Sequence, residues 1–223
     1  SKGGYDRPVI IINSRRLTKL VLLDSGKQVL ALPGASLHQL ENLLRPLGRA
    51  PHSVIGSTSI GATIVGGIAN NAGGALCKRG SSYTELSLFA QVDAAGKLQL
   101  VDHLGIRNLG KTPEQIFERL ERGQIDSADL EALDTPASDR EYPNRIRDLE
   151  ADLPNRYNAD PKRLFELSGS AGKVVAFAVR VDTYPLPKKK QVFFIGSDQP
   201  NDLTKLRRQI LTKFKELPEM CEY

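Results

Sequence analysis

The sequence predicts an α+β fold in which helices flank an antiparallel sheet. Short β-branched runs fill the first third of the chain and are separated by turn residues. A leucine repeat at helical spacing follows them directly, and the run Val174–Val181 is apolar on both faces, as a buried strand is. With 223 residues the chain can build one generous domain, or one domain and part of another, with no need of disulfides or metals.

The elements follow in order. Pro8–Ile12 is compact, apolar and β-branched, and predicts a first strand. Leu20–Leu23 and Gln28–Leu32 predict two more, divided by Asp24-Ser25-Gly26 and stopped by Pro33-Gly34. Ser36 stands where a helix N-cap belongs. Leu37, Leu40, Leu43, Leu44 and Leu47 then share one helical face, and Gly48 suits the C′ position. Glu85–Val92 and Lys97–Val101 alternate around Asp93–Gly96 and predict a hairpin. Thr112-Pro113-Glu114-Gln115 supplies an N-cap, a first-turn proline and a capping-box glutamine for a helix reaching about Arg122. Residues 124–144 are polar and irregular, which predicts a surface excursion, and Asp160-Pro161 opens a short helix through Leu167. Pro185-Leu186-Pro187 and the lysines after it mark a boundary. Beyond it Val192–Ile195 reads as a strand. Leu203, Leu206, Ile210, Leu211 and Phe214 mark an amphipathic helix, and both elements need partners beyond this chain.

Composition narrows the functional classes. The net charge is +5, with its sharpest cluster at Lys188–Lys190. That cluster reads as a solvated basic turn, with attraction to anionic lipid as the alternative. No basic helix with interleaved aromatics occurs, which argues against nucleic acid. Cys77 and Cys221 lie far apart and form no CxxC or Cys/His cluster, so they read as reduced thiols and not as a disulfide or zinc framework. No run is apolar enough to span a bilayer, and no signal segment opens the chain. The absence of an initial methionine predicts a fragment of a longer protein.

The stretch from Ser53 to Cys77 carries the chemistry. It has no charged side chain and holds Gly56, Gly61, Gly66, Gly67, Gly73 and Gly74 among small hydroxyl and amide residues. Glycine is costly inside helices and strands, so this density implies backbone that bends sharply or approaches something closely. An uncharged lining with a few polar points suits a flat, partly apolar ligand, and successive N–H groups can hold a phosphate. Neither GxxxxGK[ST] nor GxGxxG occurs, which excludes a P-loop and a Rossmann fingerprint. A tightly packed buried loop remains the alternative.

The run His52–Thr63, continuing through Gly66-Gly67-Ile68-Ala69-Asn70-Asn71-Ala72-Gly73-Gly74, resembles the second flavin-contacting segment of the respiratory, quinone-dependent D-lactate dehydrogenases. These belong to the vanillyl-alcohol-oxidase-like, PCMH-type FAD superfamily. The likeness continues at Arg79-Gly80, Tyr83–Ala90, His103-Leu104-Gly105-Ile106, Arg147–Asp152, Arg156-Tyr157-Asn158-Ala159-Asp160-Pro161, Ala171-Gly172-Lys173 and Phe177–Arg180, and is weakest over residues 124–144.

That resemblance implies the second subdomain of a PCMH-type FAD-binding domain over residues 1–184. The first strand and helix of a cap, or substrate, domain would occupy 185–223. It implies non-covalent FAD, oxidation of D-lactate to pyruvate, electron transfer to a membrane quinone, and peripheral attachment to an anionic membrane on the cytoplasmic side. Contacts to FAD are expected from Gly56, Thr63, Gly73 and Ala176, and more weakly from Ser57, Gly61, Gly67 and Asn71. Ser1-Lys2-Gly3-Gly4 does not match the pyrophosphate loop of the first subdomain. The fragment is therefore expected to lack that subdomain and the later cap, membrane and C-terminal segments, and to be inactive alone. No catalytic base and no metal ligand are identified. His52 is expected to be held by local hydrogen bonds, His38 to be exposed and His103 to be unremarkable. Arg147, Asp148, Glu150, Asp152 and Arg156 are expected to form surface ion pairs. Two rival readings are a relative acting on another 2-hydroxy acid and a non-catalytic flavin- or nucleotide-binding module.

Overall fold

The computed structural model describes residues 6, 11–54, 61–155, 157 and 160–222. Strands β1 (Leu20–Leu23) and β2 (Gln28–Ala31) pair antiparallel, with Leu20 opposite Ala31 and Leu23 opposite Gln28. The turn between them is tight enough to hold Asp24 and Ser25 at left-handed φ of 47° and 55°. Helix α1 (Leu37–Leu44) starts on a reciprocal capping box. Ser36 Oγ accepts the Gln39 N–H at 3.1 Å, and Gln39 Oε1 accepts the Ser36 N–H at 2.9 Å. The leucine face outlasts the α-helix. Arg45–Leu47 tightens into a 3-10 turn at Pro46, and Gly48 closes it with φ 64°.

Strands β4 (Ser87–Val92) and β5 (Leu98–Asp102) form the expected hairpin, and β6 (Val175–Asp182) completes a five-stranded antiparallel sheet of order β1-β2-β6-β4-β5. The most apolar strand is thus the central one, bonded to β2 on one side and β4 on the other. A second, two-stranded pair joins β3 (Arg49–Ala50) to β7 (Tyr184–Pro185), and the Leu186 N–H donates to Gly48 O at 2.8 Å. Backbone stitching therefore runs slightly past the boundary expected at 184/185.

Both faces of the sheet are covered. On one, α1 and α2 (Ile64–Ala69) press Leu37, Leu40, Leu44, Ile64 and Ile68 against Val29, Ala31, Val179 and Val181. On the other, α3 (Pro113–Arg122) packs Ile116 and Leu120 with Leu30, Leu88 and Ala178. Adjacent residues of β2 and β6 serve opposite faces, as a strand's period of two requires. Arg180 is buried on β6 because its donors are matched. Its Nε donates to Gln28 Oε1 at 2.7 Å, and Nη1 to the carbonyls of Leu104 and Gly105, each at 3.1 Å.

Four expectations differ from the structure. Pro8–Ile10 lie outside the described residues, and the run's end, Ile11-Ile12, is exposed and not in a strand. The 124–144 region is no mere surface excursion. Ile125 joins the core, Ala137 is buried, Ile106 bridges Leu130, and α4 (Tyr142–Arg145) begins within it. Asp160–Leu167 forms turns instead of a helix, with the Asp160 carboxylate accepting the Lys162 N–H and pairing with Arg163. Val192–Ile195 forms no strand: the segment is exposed, up to 97% at Phe194. A strand is stabilised by hydrogen-bonding to a neighbouring edge, and none lies beside this one among the described residues. The amphipathic helix does form as α5 (Pro200–Lys213), since helices satisfy their backbone internally, but it buries none of its residues.

Candidate functional site

The glycine-rich segment is described from Gly61 onward. Thr63 opens α2 with extended backbone (φ −89°, ψ 152°), and its hydroxyl oxygen accepts the Gly66 N–H at 3.0 Å. A Cβ at Gly66 would stand 2.7 Å from that oxygen, so the cap and the glycine depend on each other. The helix entry is tied to α1, because the Leu37 N–H donates to Ala62 O and the Ile64 N–H to Ala35 O, both at 3.0 Å.

The helix exit is a Schellman turn. Asn71 takes φ 49° and donates its N–H to Ile68 O at 3.0 Å, while the Ala72 N–H reaches Gly67 O at 2.8 Å. A second chain segment docks on the same end: Gly169 N–H donates to Ile68 O at 2.9 Å and Ala171 N–H to Ala69 O at 2.8 Å. Gly169, Ala171 and Gly172 all take left-handed φ, of 69°, 50° and 87°. This turn feeds β6, where Ala176 flanks the cluster that α2 packs into, beside Ala62, Ala69 and Val174. Beyond Asn71 the chain crosses its own entry. A Cβ at Gly74 would lie 1.9 Å from Val54 O, so only glycine permits the crossing.

Buried polar atoms without hydrogen-bond partners surround this crossing and turn. Among the described residues they include both ring nitrogens of His52 and the hydroxyls of Ser53, Ser82 and Ser170. Ser82 adjoins the segment through its N–H to Ala72 O at 2.8 Å. Burial, reinforced by the positive charge of Arg79 and opposed by Asp182, lowers the His52 pKa to about 4, so its ring is neutral near pH 7. The expected local hydrogen bonds to His52 are absent among the described residues.

The predicted contacts divide as follows. Gly56 and Ser57 lie outside the described residues. Thr63, Gly67, Asn71 and Gly73 fall on one short stretch, and β6 brings Ala176 beside it. Gly61 is exposed with open space around its Cβ position. Thr63, Gly67 and Asn71 also have local backbone roles in the caps of α2. The Ser168–Gly172 turn was not among the expected contacts, although its composition, just before the most strand-like run, was a legible signal. His38 is exposed and its Nε2 lies 3.1 Å from Asn42 Nδ2. His103 is not solitary: its Nδ1 lies 2.5 Å from Glu166 Oε1. Arg147 bonds the carbonyls of Leu211, Phe214 and Lys215 instead of a carboxylate, whereas Glu150 does form an ion pair, with Arg208. Uncharged walls, small side chains and unpartnered buried hydroxyls together fit a flat ligand with a few polar points. Among the described residues no group of three or more His, Cys, Asp or Glu could hold a metal ion.

Comparison with known proteins agrees with that lining. A family model described as an FAD binding domain matches residues 1–101, and one described as D-lactate dehydrogenase, membrane binding, matches residues 192–223. The chain is 56% identical over 221 residues to the quinone-dependent D-lactate dehydrogenase of Escherichia coli (strain K12), covering 99% of this chain and 38% of that protein. The proteins of the same name from Haemophilus influenzae and Corynebacterium glutamicum are 47% and 42% identical, over 99% and 98% of this chain and 39% and 38% of their own lengths. The chain thus spans well under half the length of the curated relatives it matches. By these matches the chain is similar, over nearly all of its own length, to one stretch of the quinone-dependent D-lactate dehydrogenases.

Proposed function

We propose that this chain is part of a flavoenzyme that oxidises D-lactate to pyruvate and passes the electrons to a membrane quinone. The observation that carries this reading is the 42–56% identity to quinone-dependent D-lactate dehydrogenases over 98–99% of the chain. The chain's part is to hold FAD non-covalently, and the substrate and catalytic base belong to the rest of the protein. FAD, when bound, supplies the two-electron acceptor. Gly56 and Gly73 let backbone approach it. The Thr63 hydroxyl oxygen is engaged by Gly66, which leaves its proton to donate. Ala176 offers a small side chain from a rigid central strand, and Ser57, Gly61, Gly67 and Asn71 complete the wall. The Ser168–Gly172 turn and the hydroxyls of Ser53, Ser82 and Ser170 extend the set. A neutral His52 keeps charge out of this wall.

The FAD-binding part is assigned to the second subdomain of a PCMH-type domain, ending near residue 184, just before the Leu186 N–H closes onto Gly48 O. Residues beyond it begin the next domain. Attachment is peripheral, at an anionic membrane on the cytoplasmic side. The membrane-binding family match and the Lys188–Lys190 cluster support this, as does the lack, among the described residues, of any helix long and apolar enough to cross a membrane.

The test is the visible flavin spectrum of the intact parent protein, recorded anaerobically before and after D-lactate. Bleaching by D-lactate and not by L-lactate is expected. A bound flavin that stays oxidised would reject the substrate, and well-folded protein without flavin would reject the cofactor assignment.

A further inference from the structure

The chain after α5 returns to the body at the exit of the glycine-rich segment. Leu76 and Met220 form an antiparallel bridge, with the Cys77 N–H donating to Glu219 O and the Cys221 N–H to Ala75 O, each at 3.1 Å. Arg79 locks the return. Its guanidinium pairs with Glu219, donates to Pro51 O at 2.8 Å and lies 4.7 Å from the ring centroid of Tyr184. Leu217 packs with Cys77 and Ile146 in a small cluster of its own. This register puts Cys77 and Cys221 on the same face of the bridge, as diagonal neighbours. Cys77 is buried and Cys221 exposed. The buried thiol bears on the Cys221 backbone N–H, and burial, followed by the charge of Cys221, holds its ionisation above the ordinary thiol value.

We propose that Cys77 and Cys221 form a reversible disulfide, a redox modification site that fastens the C-terminal tail to the exit of the glycine-rich segment. The oxidant is a small-molecule disulfide such as oxidised glutathione. The exposed Cys221 thiolate attacks one of its sulfurs, forming a mixed disulfide and releasing one thiol. Cys77 then loses its proton and attacks the Cys221 sulfur, which releases the second thiol. Two protein thiols are oxidised to one disulfide while the small disulfide is reduced to two thiols. Diagonal neighbours lie roughly 7–8 Å apart at Cα and disulfides about 4.4–6.8 Å, so closure takes a shift of about an ångström in the exposed tail.

The experiment incubates the reduced full chain with oxidised glutathione, quenches with acid, alkylates, and maps unreduced peptides by mass spectrometry. The expected product is a peptide carrying Cys77 joined to one carrying Cys221, in a chain lighter by two hydrogens and restored by reductant. Cys77→Ser should stop at glutathione on Cys221, and Cys221→Ser should give no product. In the unaltered chain, glutathione persisting on Cys221, or Cys221 linking two chains, would overturn the proposal. The readout is a mass and does not depend on flavin, so its failure would leave the cofactor assignment standing.

Discussion

His52 shows how one buried side chain sets a pH limit on the fold. Its pKa falls from an ordinary 6.5 to about 4 because the charged ring would be desolvated beside Arg79. The unfolded chain therefore takes up a proton that the folded chain resists, and folding stability falls as the pH drops from about 6.5 to 4. The full penalty is about 3 kcal/mol at the rate of ~1.4 kcal/mol per unit. Equilibrium denaturation at pH 7.5 and pH 4.5 should show a stability loss that His52→Leu largely removes. An equal loss in the variant would assign the acid sensitivity to other groups. Gly74 illustrates a steric limit instead, because any Cβ there meets a backbone carbonyl that cannot swing aside.

At the scale of elements, α2 is only one and a half turns long, so its stability resides in its caps. Thr63 holds one end and Asn71 the other, and two neighbouring segments bond to its first and last turns. The left-handed backbone at Asn71 is tolerated by asparagine and free for glycine, but it costs a β-branched residue roughly 1–2 kcal/mol. Asn71→Gly should match the parent's denaturation midpoint within about 0.5 kcal/mol, and Asn71→Val should fall by about that cost. If the valine variant were as stable as the parent, the Schellman turn would not be what fixes this end. Thr63 and Asn71 are legible in the sequence as cap residue types, yet a cap and a cofactor contact draw on the same small polar residues. The composition alone therefore could not separate the two uses.

The whole molecule depends on a strand that arrives late. β6 completes the centre of the sheet, so β2 and β4 gain their common neighbour only when residues 175–182 are in place. Such distant pairing favours slow, cooperative folding. At the opposite extreme, Val192–Ile195 lies exposed, with Phe193 and Phe194 at 71% and 97%. A Phe193→Ser/Phe194→Ser double variant should leave the unfolding free energy of this chain unchanged within about 0.5 kcal/mol, as exposed positions do. The same substitutions in the intact protein proposed above should lower stability if the apolar pair packs against a further part of it. Equal insensitivity in both would remove the idea that these side chains pack within the parent protein.

Local chemistry determined much of this protein. Caps at Ser36 and Thr112, the hairpin around Asp93–Gly96 and the apolar run of β6 follow from propensity, capping and periodicity that act within a few residues. The glycine density likewise marked Ser53–Cys77 as backbone in close contact with something. Only the tertiary structure decided which distant segments meet. It docked the Ser168–Gly172 turn on the end of α2, left Val192–Ile195 without a strand partner among the described residues, turned Arg147 onto the carbonyls at the end of α5, and set Cys77 beside Cys221. Those outcomes depend on pairing between residues remote in sequence, and no local pattern encodes the entropy and geometry of that closure.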